Sequence, residues 1–116
     1  MPYISAKDDR REKLRNREPA LTAGELNYQI FYYVKHHIID IIEEVYVIKG
    51  FVEQFLGDKP NYQRYNDMTG ALLRCEREIY RRLERDATYL IDIMNGYDDE
   101  IAKYEDTKII ENGDVE

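Results

Sequence analysis

A chain of 116 residues, 43% hydrophobic and 35% charged, has room for one domain around a single modest core and is too apolar for a disordered polymer. Its most apolar stretch, Gln29 to Ile48, is interrupted by Lys35, His36, His37, Asp40, Glu43 and Glu44, which a bilayer-spanning helix would not tolerate. A net charge of −7 argues against unspecific nucleic-acid binding, and the single cysteine, Cys75, rules out an internal disulfide or a cysteine-rich zinc site. The expected fold is mainly α: one small helical domain over residues 1–116, with a short extended N-terminus. Met1 to Ile4, with its proline and bulky side chains, reads as extended. Ser5 is placed to cap a short charged helix through about Asn16, with Asp8 and Asp9 in its first turn. Arg17 to Ala20, containing Pro19, is a break.

Thr22 and Glu25 then form a T-x-x-E capping box opening a second helix. Leu26, Ile30, Val34, Ile38, Ile41, Val45, Ile48, Val52 and Phe55 follow at spacings of three or four, which predicts one long apolar helix ending at Gly57. Gly50 is a point where it could kink or divide. A second set, Tyr32, Tyr33, Ile39, Ile42 and Tyr46, widens the apolar surface beyond one stripe, and a homo-oligomer is expected to cover the excess. Asn61 caps a third helix expected to run to about Asn95, with Tyr65, Met68, Leu72, Cys75, Ile79 and Leu83 as its core stripe. Cys75 in that stripe reads as a small hydrophobe. Asn95-Gly96 ends this helix, and a last one is expected from about Asp98 to Ile110 before a closing turn at Asn112 to Asp114.

Charge is unevenly placed. Six Lys/Arg meet four Asp/Glu from Met1 to Glu18, the same balance recurs from Arg64 to Arg85, and eight acids face two lysines from Tyr97 to Glu116. A basic, arginine-bearing middle before an acidic tail suits a small anionic ligand, though ordinary solvated surfaces explain it equally well. Eleven tyrosines offer flat rings with hydroxyls for base stacking, or for core edges and subunit contacts. On the third helix, Asn66, Gly70, Arg74 or Arg77, and Arg81 share one side. Arginines there could grip phosphate while Tyr65 or Tyr80 stacks a base. On spacing alone, a solvated face of arginines paired with Glu76, Glu78 and Glu84 is the simpler account.

His36 and His37 lie about a quarter-turn apart and cannot ligate one metal from a regular helix. His36 with Asp40 and Glu43 or Glu44 is a weak metal set, of the kind a magnesium-dependent all-α nucleotide pyrophosphohydrolase would need. His37 reads better as a partly buried interface residue. No nucleophile–base arrangement, G-x-G-x-x-G or Walker loop is present. The expectation is a binder without cofactor or metal, not an enzyme. No basic and apolar leader opens the chain, so a cytoplasmic protein is expected.

Several segments together resemble a family. They are the opening MPYI, GELNYQI (Gly24 to Ile30), YQRYNDMTGALLRCEREIYRRL (Tyr62 to Leu83) and KYEDTKIIENGDV (Lys103 to Val115). They resemble the phage anti-Thoeris sponge proteins, which sequester cyclic ADP-ribose isomers made by TIR-domain enzymes. That resemblance implies a protein of the infected bacterial cytoplasm that captures the messenger without cleaving it. It also implies a dimer-based homo-oligomer, a hexamer, with pockets between subunits and separate sites for cyclic di- or trinucleotides. By the same resemblance, Arg81 and Arg82 would hold pyrophosphate, Tyr80 or Tyr65 would stack adenine, and Asn66 would read a base or ribose edge. Arg77 and Phe55 are further candidate contacts, Phe55 because it ends the long helix beside a loop. The chain departs from the family pattern at Glu84 to Ala102, which looks like an inserted helical excursion over 84–102. An acidic protein-interaction module is the other reading.

Overall fold

The computed structural model describes residues 9–37 and 40–112, with side chains through 105. Six helices follow in order: α1 (Arg10–Arg15), α2 (Ala23–His36), α3 (Ile41–Leu56), α4 (Tyr62–Leu83), α5 (Tyr89–Asn95) and α6 (Asp98–Asn112), with no strand among the described residues. The mainly α expectation holds. Met1 to Ile4, Ser5 and Asp8, and the closing turn expected at Gly113 and Asp114 lie outside the described residues, as do Ile38 and Ile39.

The capping chemistry is where the sequence put it. The Thr22 side chain accepts from the Glu25 N–H at 3.1 Å and the Asn61 side chain from the Arg64 N–H at 2.9 Å. Each satisfies one of the donors that a helix start leaves open. Glu25 also accepts from Leu21 N–H at 2.9 Å and from Arg10 at 2.7 and 2.9 Å, tying α1 to the start of α2. Buried Gln29 completes that attachment. Its Nε2 donates to the carbonyls of Leu14 at 3.0 Å and Glu18 at 2.8 Å, so the end of α1 is held by a side chain of α2.

The long helix expected from Thr22 to Gly57 is two helices. The break lies before Asp40, whose extended backbone (φ −68°, ψ 159°) and carboxylate, accepting from Glu43 N–H at 2.9 Å, start α3 afresh. Gly50 lies inside α3, so the glycine is not the break. α3 folds back on α2: Tyr33 and Phe51 meet edge-on with centroids 5.8 Å apart, where a continuous helix would separate them by about 27 Å. The over-wide apolar surface is therefore two stripes folded onto each other. Ile30, Phe31, Tyr33 and Val34 of α2 are buried with Ile48, Phe51, Val52 and Phe55 of α3. Of the second set, Tyr33 is buried and Tyr32 half-buried within the chain, whereas Ile42 and Tyr46, like Ile41, remain exposed.

α4 supplies the third wall. Tyr65, Met68, Leu72, Cys75 and Ile79 are all buried in the predicted stripe, each large one worth roughly 1.5–3 kcal/mol. Burial also pushes the Cys75 thiol far above its ordinary pKa, as befits an inert core residue. The expected run to Asn95 stops at Leu83, because Glu84 takes the left-handed conformation (φ 53°). After it Arg85 reaches Glu44, which is 0% exposed, with Nη2 at 3.0 and 3.1 Å from its two oxygens. Arg85 Nη1 donates to the Val34 carbonyl at 3.3 Å and the Tyr89 hydroxyl donates to Glu44 at 3.2 Å. This cluster clamps the end of α2, the start of α3 and the α4–α5 link. Within 84–102, Ala87, Leu90 and Ile93 join the core.

A basic aromatic cleft as candidate functional site

A cleft of about 230 Å³ opens where α1, α2 and the end of α4 meet. Arg11 and Arg15 enter from α1, four residues apart and so on one helix face. Tyr28, Phe31, Tyr32, Lys35 and His36 line it from α2, at the three- and four-residue spacing of one stripe. Arg82 closes it from the last turn of α4. The rings form a shelf: Tyr28 stacks on Tyr32 at 6.1 Å, and Tyr32 meets His36 at 4.4 Å. The guanidinium groups lie over ring faces, Arg15 at 4.8 Å from the Tyr32 centroid, Arg11 at 5.4 Å from Tyr28 and Arg82 at 4.7 Å from Phe31. Arg15 Nε also donates to the Tyr28 hydroxyl at 2.8 Å.

The electrostatics of this cleft oppose the rest of the chain. Among the described residues four cations line it and no carboxylate does, in a protein carrying 24 acids against 17 bases. Ring faces attract a guanidinium but do not neutralise it. The Nε of Arg11 is buried and has no hydrogen-bond partner among the described residues. A buried donor left open costs about 1–3 kcal/mol, which an arriving acceptor would relieve. The arrangement can hold an anion against fixed guanidinium groups and stack a flat ring beside it.

Of the residues singled out from sequence, Arg82 lies in this cleft. Arg81 points elsewhere, with a 70% exposed side chain bonded to Glu78 at 2.8 Å, as the solvated-face account had it. Tyr80 is 68% exposed, and Asn66 is exposed on the same outer side of α4. Arg77 lines a separate shallow depression of about 220 Å³ with Gly70, Leu73 and Arg74. Tyr65 and Phe55 are core residues. Tyr65 donates to Glu100 at 2.8 Å, and Arg64 covers the Phe55 ring at 4.9 Å, so neither ring is open within one chain. His37 is exposed and stacked on Tyr33 at 4.6 Å, and so is not partly buried within the chain.

Sequence reasoning missed Arg11, Arg15, Lys35, Tyr28 and Tyr32. A signal was present, in the Arg11–Arg15 pair and in Tyr28, Tyr32 and His36 recurring every four residues. Only the packing of α1 on α2 shows that the two sets share a surface. For the weak metal set, Asp40 caps α3 and Glu44 is locked to Arg85, so neither carboxylate is placed beside His36 for a shared ion. No group of three or more metal-ligating side chains occurs among the described residues, and no helix there is long and apolar enough to cross a membrane.

Fold and site together define a small all-helical protein with a cationic, aromatic-floored cleft. The chain belongs to the family described as domain of unknown function (DUF6899), which matches residues 1–90. That span takes in α1 to α4 and every residue lining the cleft. No curated protein and no solved structure matches the chain.

Proposed function

We propose that this protein binds a small phosphorylated ligand bearing a flat ring and holds it without chemical change. The observation that carries the reading is the set of four cations, Arg11, Arg15, Lys35 and Arg82, gathered around stacked tyrosines with no carboxylate among the described residues. Phosphate oxygens would replace the missing counter-charge, and a base would extend the Tyr28–Tyr32 shelf. Charge-assisted hydrogen bonds of roughly 1.5–3 kcal/mol and stacking of about 1–3 kcal/mol per base would give micromolar or tighter affinity after ordering costs.

The specific form of the proposal is a nucleotide second messenger, a cyclic ADP-ribose isomer first and a cyclic di- or trinucleotide second, sequestered as by the anti-Thoeris sponges that the sequence resembles. A cleft of about 230 Å³ takes one phosphate and one ring, so a larger messenger would project beyond it. The net charge of −7 disfavours long polyanions, in keeping with a small ligand. The magnesium-dependent hydrolase reading is weaker, because Asp40 and Glu44 already serve as a helix cap and a buried ion-pair partner.

Calorimetry of the full chain with inorganic phosphate, adenosine monophosphate, cyclic ADP-ribose isomers and cyclic dinucleotides tests this directly. At least one nucleotide should bind tenfold or more tighter than phosphate, and heat denaturation should release it unaltered by mass spectrometry. Absence of binding across the panel, or release of a cleaved product, removes the proposal.

A further inference from the structure

Among the described residues, the outward face of α3 is the large apolar surface that the chain's own packing leaves uncovered. Ile42 is 83% exposed and Tyr46, one turn on, 80%. One turn beyond Tyr46 stands Gly50, where an added Cβ would meet no atom within 4 Å. No described residue requires a glycine there, and glycine weakens a helix interior. Gly50 and Tyr46 also line a groove of about 300 Å³ along α3, shared with Val47, Phe51 and Gln54 and closed on one side by Arg17. A projecting ring and a gap that could receive one therefore lie on the same face of the same helix.

We propose that this face is a contact between two copies of the chain, α3 pairing antiparallel with α3 of the partner and crossing near Gly50. The ring of Tyr46 from each copy then lies along the other's groove. The choice of a second copy rests on self-complementarity, which a two-fold contact demands of a single patch. Charge supports the antiparallel direction. Lys49 and Glu53 are exposed and make no ion pair among the described residues. Centred on Gly50, the antiparallel pair sets Lys49 about 3 Å along the axis from the partner's Glu53, and the two-fold repeats the match. A parallel pair would oppose like charges, lysine to lysine and glutamate to glutamate. A single helix pair falls short of the roughly 1,600 Å² of a standard interface, so the association is weak, with Kd in the tens of micromolar.

Sedimentation velocity of the full chain from roughly 1 µM to roughly 1 mM tests the contact. The wild type should pass from monomer to dimer across that range. Gly50→Leu should fill the crossing and weaken dimerisation at least tenfold while melting no lower than wild type, so a loss of association cannot be blamed on unfolding. Lys49→Glu should also weaken it about tenfold, and adding Glu53→Lys should restore it. A wild type that stays monomeric, or a dimer indifferent to Gly50→Leu and to the charge reversal, overturns the proposal. The cleft takes no part in the contact, so a negative ligand panel and a negative sedimentation result are separate failures.

Discussion

Arg82 and Arg85 stand three residues apart and meet opposite fates. Arg85 is spent on architecture: both oxygens of fully buried Glu44 and the Val34 carbonyl accept from it. Arg82 lies over the Phe31 ring at the mouth of the cleft and meets no carboxylate among the described residues. Glu84, left-handed at φ 53°, turns the chain between them and sends the two side chains to different regions. A cation matched by a buried acid fixes how elements sit, while a cation left with only a ring beneath it keeps most of its capacity for an anion from outside.

The largest expected effect tests the matched side. Arg85→Met leaves Glu44 buried with the Tyr89 hydroxyl as its one remaining partner among the described residues, and should cost about 3 kcal/mol by urea denaturation. Glu44→Leu should cost less, about 1 kcal/mol, because the Arg85 side chain is already 38% exposed and can turn to water. The Glu44→Leu/Arg85→Met pair should recover most of the loss, since apolar replacement of a buried ion pair is often neutral. Equal losses in the two single variants would show that the asymmetry of burial is not what matters.

Next comes the unmatched side. Arg82→Ala should weaken binding of the tightest nucleotide at least tenfold in calorimetry and change stability by less than about 1 kcal/mol. Arg81→Ala, whose guanidinium sits outside the cleft on Glu78, should change binding less than about twofold. The reverse order would move the site to the outer face of α4, where Arg77 lines its shallow depression.

What could be read from the chain follows the same division. Periodicity and capping residues work over one or two turns, so the α4 stripe, the Thr22 and Asn61 caps and the Asp98 start of α6 were legible. The α2–α3 break was not, because apolar spacing carries straight through a helix that stops and restarts. Asp40, which restarts it, was read as a candidate ligand and not as a cap. The stop at Glu84 depends on Arg85 reaching a carboxylate 41 residues away, which no local pattern reveals. The cleft was hidden for a related reason. Gln29 docks α1 on α2, and without that contact Arg11 and Arg15 look like any charged helix surface.

Tyr65 extends the comparison to pH and carries the smallest effect. It belongs to the matched side, buried, with its hydroxyl donating to Glu100 at 2.8 Å. Burial first, and then that hydrogen bond to a carboxylate, push its pKa from 10.0 up to about 12. Because the folded value is the higher one, the neutral phenol contributes its full stability below pH 10 and loses it progressively as pH rises from about 10 to about 12. Tyr33 and Tyr89 are pushed in the same direction, burial again leading, and add to the same alkaline loss. Tyr65→Phe should therefore flatten the fall of urea midpoint between about pH 9 and about pH 12, at a cost near neutral pH of about 1 kcal/mol for the lost hydrogen bond. Arg82→Ala should leave that slope as it is, because the cleft shares no contact with Tyr65 or Glu100. A slope that changes with Arg82 and not with Tyr65 would mean that the two sides are coupled, and that the unmatched cations of the cleft help to hold the fold after all.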